Sequence, residues 1–91
     1  MAELHDLIRD KIARLLELQR IPAKRVFVGR LGTLTVTLYG EASALKVAAL
    51  VAPFAKVDHV GPGFDPGKAT EIHNARRTDV PVWRVHGTIT A

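Results

Sequence analysis

Apolar residues recur through the first twenty positions at the spacing of a helix face. Leu4, Ile8, Ile12 and Leu15 stand four and three residues apart, with Leu7 and Leu16 beside them. That stripe predicts an amphipathic helix over residues 3–20. Glu3 and Asp6 fall in its first turns and Arg20 near its end, as the helix dipole favours. Pro22 is expected to stop it, because a proline ring cannot continue the backbone ladder.

Beyond Pro22 the period changes to two. Arg25–Val28 and Thr33–Tyr39 read as the strands of a hairpin joined through Gly29-Arg30-Leu31-Gly32. Leu34, Val36 and Leu38 point one way, and Thr33, Thr35, Thr37 and Tyr39 the other. Val26 and Val28 match the apolar side, which leaves Arg25 and Phe27 with the threonines. Glu41–Ala52, between Gly40 and Pro53, predicts a second helix. It is apolar nearly all round, with Lys46 the lone charge within it, so a central position is expected.

Lys56–Val60 predicts a short strand. The run Gly-Pro-Gly-Phe-Asp-Pro-Gly at 61–67 is expected to be a mobile, exposed loop, leading into a short helical turn over Lys68–Arg76. Asp79-Val80-Pro81 reads as a break. Val82–Thr90 then alternates as a last strand, with Trp83, Val85 and Ile89 on one face and Arg84, His86, Thr88 and Thr90 on the other. Trp83 is expected to fill the core beneath the helices.

This α-β-β-α-β-β order predicts an α+β domain built as a two-layer sandwich, with both helices on one face of a four-stranded mixed sheet. The sheet is expected to be mixed because the step through Glu41–Ala52 should be a right-handed crossover that sets two strands parallel. The helix-free face then displays Arg25, Phe27, the threonines, Tyr39, Arg84 and His86.

Composition narrows the class. The chain of 91 residues is 47% hydrophobic and 24% charged, which suits one globular domain spanning residues 1–91. It has no cysteine, so disulfides, thiolate metal sites and thiol nucleophiles are excluded. No apolar stretch approaches the ~18 residues of a membrane span, and no signal-peptide pattern opens the chain; a cytoplasmic protein is expected. The net charge of +4 is unevenly placed. Between Glu17 and Glu41 there are no acids, only Arg20, Lys24, Arg25 and Arg30, and such a stretch attracts polyanions.

Catalytic patterns are weak. Gly61–Thr70 follows a strand and contains Gly67-Lys68, but its glycine spacing is wrong for a phosphate-binding loop and Ala69 stands where a hydroxyl is needed. His5, His59, His73 and His86 show no paired ligand spacing, so neither metal nor cofactor is expected. His73 and His86 near Arg76, Arg77 and Arg84 have the chemistry of a metal-free ribonuclease, but nothing in their spacing demands it. No enzyme is expected.

The function these features imply is a small basic nucleic-acid-binding domain. Arg25, Arg30, Arg76, Arg77 and Arg84 would contact phosphates, with Phe27 or Tyr39 stacking on bases and His86 on the sheet face beside them. The alternative is a homodimeric protein-interaction or inhibitor module without catalytic activity. It draws on the alanine-rich second helix and on the thin core that 91 residues can build.

Overall fold

Ile8, Ile12 and Leu16, one every fourth position, are the residues the first helix buries, and they fix how it lies on the sheet. The computed structural model describes residues 2–65 and 80–90. Its elements are α1 (Ala2–Leu18), β1 (Ala23–Val28), β2 (Thr33–Leu38), α2 (Glu41–Val51), β3 (Ala55–Asp65) and β4 (Val80–Ile89). The domain is thus α+β, with the expected order of elements.

The four strands lie in the order β1-β2-β4-β3, and every neighbouring pair is antiparallel. This corrects the mixed sheet expected from sequence. β2 and β3 do point the same way, as the crossover through α2 requires. They are not neighbours, however, because β4 runs between them and antiparallel to both. The crossover is a split β-α-β unit with the last strand in the gap.

One face of the sheet carries the core. Leu34, Val36 and Leu38 of β2 and Val85 of β4 join Ile8, Ile12 and Leu16 of α1 and Ala44, Val47 and Val51 of α2 in one buried cluster. The register sets Leu38 opposite Trp83 and Val36 opposite Val85, so β2 and β4 present matching apolar rows. Trp83 is half-buried and packs against this cluster.

Both helices bury a narrower stripe than their sequences suggest. Leu4 and Leu7 of α1 are exposed, Leu7 at 67%. In α2, Ala42, Leu45, Lys46 and Ala49 face outward, so the helix is a one-sided cover rather than a central element. Its contacts run to β2, β3, β4 and α1, and its fully buried residues are Ala44, Val47 and Val51.

The end of α1 is set by its backbone rather than by Pro22. Arg20 takes φ +56°, its N–H donates to the Glu17 carbonyl (3.0 Å), and the Ile21 N–H reaches back to Leu16 (2.9 Å). These are the two bonds of a Schellman turn, and the buried pair Leu16 and Ile21 supplies its apolar contact.

The largest departure is at the β3–β4 hairpin. Gly61–Asp65 is strand, paired with Val80–Arg84, where a loop was expected, and Val80 and Pro81 continue β4 where a break was expected. As an edge strand β3 tolerates Pro62, because on its outer side no neighbouring strand needs the missing N–H. Val80–Val82 pair with β3 alone, because β2 reaches only Trp83–Thr88. The rest of the expected loop (66–67) and the helical turn over Lys68–Arg76 lie outside the described residues.

Candidate functional site

Alternation along each strand places a second set of side chains on the helix-free face, the one that neither α1 nor α2 covers among the described residues, and the register sorts them into rows. One row runs Phe27, Thr35, His86, His59 across β1, β2, β4 and β3. The next runs Arg25, Thr37, Arg84, Gly61. A third sets Thr33 opposite Thr88, with Lys56 beyond.

The first row is rich in π-surface. The Phe27 ring is 50% exposed at the β1 edge. On the other side, the His59 and His86 rings stack with centroids 6.2 Å apart and planes 25° from parallel. His86 Nδ1 shares a 3.3 Å hydrogen bond with the Thr35 hydroxyl, which orients its ring over the sheet. The third row is polar, and the Thr88 hydroxyl donates to Asp58 Oδ2 at 3.3 Å.

The second row lines a groove of about 290 Å³ formed by Arg25, Phe27, Thr35, Thr37, Asp65 and Arg84. Asp65 Oδ2 lies 3.0 Å from Lys24 Nζ, and Oδ1 accepts from Arg84 Nη2, which also donates to the Phe64 carbonyl at 3.1 Å. Strands are about 4.8 Å apart, so β1 and β3, at opposite edges of the sheet, are separated by roughly 14 Å. The Lys24–Asp65 pair therefore spans the sheet from edge strand to edge strand, over β2 and β4.

Local irregularities permit this arrangement. Lys24 is the extra residue where the β1 register shifts between Ala23 and Arg25, a bulge that re-aims its side chain. Gly63 lies directly under the Arg84 guanidinium, where any Cβ would collide with it. Hydrogen bonding from Lys24 first, then from Arg84, holds the Asp65 carboxyl below its ordinary pKa, against the opposing effect of its partial desolvation.

Of the residues expected from sequence, Arg25, Phe27 and Arg84 meet in this groove and His86 lies in the adjoining row. Arg30 stands apart, in the β1–β2 turn at the opposite end of the strands. Tyr39 is exposed but lies past the end of β2 and does not line the groove. Arg76 and Arg77 fall outside the described residues, as does His73. Sequence reasoning missed Lys24, Asp65 and His59 as members of the face. Among the described residues, no group of three or more His, Asp or Glu could hold a metal ion, and no helix is long and apolar enough to cross a membrane.

The groove can accept anions through Arg25, stack a planar group on Phe27, and offer hydroxyls from Thr35 and Thr37. No family model matches the chain, and no curated protein or solved structure does.

Proposed function

We propose that this chain is a small nucleic-acid-binding domain that receives an unpaired strand on the helix-free face of its sheet. The observation that carries this reading is the row from Phe27 to His59 and His86, flanked by Arg25, Arg84 and Lys56. Phe27 and His86 sit two strand spacings apart, about 10 Å, far enough to receive separate bases. Exposed rings set among cations recognise unpaired bases without sequence preference: the rings stack and the cations track the backbone. A sheet face displaying threonines and charges is too polar to serve mainly as an apolar dimer contact.

The test is fluorescence anisotropy with a fluorescein-labelled twelve-residue oligothymidylate, titrated over a series of salt concentrations. Binding should weaken by roughly 0.7 log unit per tenfold rise in salt for each phosphate contact. Phe27→Ala should weaken it about tenfold or more, as loss of one stacking platform does. Absence of binding at low salt overturns the reading. Dimerisation by sedimentation that Phe27→Ala abolishes would transfer the face to a second copy of the chain.

A further inference from the structure

Arg25, Arg84 and Asp65 line the groove and Lys24 pairs with the same Asp65, an arrangement with the form of an occupied anion site. We propose that Lys24, Arg25 and Arg84 form a phosphate subsite on this face, and that Asp65 is its built-in occupant, displaced when a phosphodiester binds. The inference rests on the nucleic-acid reading above and names how that site is regulated.

The geometry is that of a clamp. Lys24 comes from β1 and Arg84 from β4, with β2 between them, yet both reach the same carboxylate, one oxygen each. A carboxylate and a phosphodiester present the same chemistry to such a clamp: two acceptor oxygens sharing a negative charge. Arg25 lines the same groove and makes no ion pair among the described residues. One internal carboxylate therefore leaves the cluster net positive, still attractive to an external anion.

Asp65 is also placed to leave. It is the last residue of β3, beyond the part of the hairpin that β2 supports, and its strand partner is Val80 alone. Its side chain retains 15% exposure, and those of Arg84 and Lys24 keep 25% and 31%. Water therefore reaches all three groups, and an arriving phosphodiester would replace the carboxylate as partner to both cations rather than leave them unpaired. Withdrawing Asp65 moves the hairpin end, including the buried Val82, away from the face, while the core cluster on the other face stays intact.

The experiment compares the wild type with Asp65→Asn, which keeps the shape and removes the charge, and with Asp65→Ala as a second variant. Both variants should bind the labelled oligothymidylate about five- to tenfold more tightly at low salt, as expected when two weak competing pairs are removed. Their salt dependence should steepen by roughly 0.7 log unit, one further phosphate. Neither variant should melt higher than the wild type, so a gain in affinity is not a gain in folded fraction. In parallel, inorganic phosphate should shift the backbone amide resonances of Lys24, Arg25 and Arg84 at lower concentration in Asp65→Asn than in the wild type.

Equal or weaker oligonucleotide binding by both variants, with phosphate moving none of these amides, overturns the subsite and leaves the stacking face standing. Phosphate shifts in Asp65→Asn without oligonucleotide binding by any form uphold the subsite and overturn the nucleic-acid reading.

Discussion

β2 carries two interleaved sequences with opposite fates. Leu34, Val36 and Leu38 are fully buried in the core, while Thr33, Thr35 and Thr37 face the helix-free side among charges and rings. On the core face a residue's role follows from its own type: an apolar side chain leaves water wherever a helix covers it. On the other face the role follows from neighbours on other strands. Thr35 matters because His86 lies opposite, and Thr37 because Arg25 and Arg84 flank it. The core face can be read from one strand, but the other face only from all four.

The largest way to test that contrast is to cut one residue from each face of β2. Leu38→Ala should destabilise the domain by about 2–5 kcal/mol, the cost of lost burial plus the cavity left behind. Thr35→Val, pointing the other way, should stay within about 1 kcal/mol of the wild type. Urea denaturation monitored by Trp83 fluorescence measures both, and comparable losses would erase the distinction between the faces.

A smaller effect isolates the charge network. Asp65→Asn should destabilise by about 1 kcal/mol at neutral pH, since its partners are partly exposed pairs. The folded-state pKa of Asp65 is depressed, so its contribution is present above the ordinary value of 3.8. It is lost as pH falls from there through the lowered folded value. The stability gap between wild type and Asp65→Asn should therefore hold through the neutral range and close in strong acid. A gap that stays constant down to the acid limit would show that the loss comes from shape rather than charge.

The smallest effect lies away from both faces. Arg20 holds a left-handed backbone at φ +56° to close the Schellman turn. Arg20→Gly should stabilise the domain by about 0.5–1 kcal/mol, because glycine adopts this conformation without a Cβ clash. A fall in melting temperature would mean that the Arg20 side chain contributes more than its backbone costs.

Much of the fold was legible in the sequence because each strand carries its own alternation. Leu34-Val36-Leu38 and Trp83-Val85 declare their face, and the Ile8–Ile12–Leu16 spacing declares the helix. The order of strands was not legible. No residue of β4 announces that it enters between β2 and β3, since antiparallel and parallel neighbours ask for the same β-branched residues. Gly61–Asp65 was misread because glycine and proline carry no hydrophobic period, and an edge strand needs none of its own when a long partner supplies the ladder.

The candidate site divides the same way. Arg25, Phe27, Arg84 and His86 were visible by alternation alone. Lys24 was hidden because a bulge breaks the period that would have placed it, and Asp65 because it lay in the segment taken for a loop. Net charge therefore overstated the basic character of this face: the acid that offsets it comes from 24 residues past the acid-free stretch, which closes at Glu41.

The position of β4 has a consequence for how this chain comes together. The strand that appears latest among the described elements is an interior one, and it is the only link between β3 and the rest of the sheet. A chain stopped before Val80 would lose the middle of its sheet rather than its rim. It would retain a β1–β2 hairpin and an orphan β3 whose hydrogen-bonding edges face a gap one strand wide. Until β4 arrives, both those edges stand open to strands of other molecules. Residues 80–89 are thus what completes the sheet and covers the inner edges of β2 and β3.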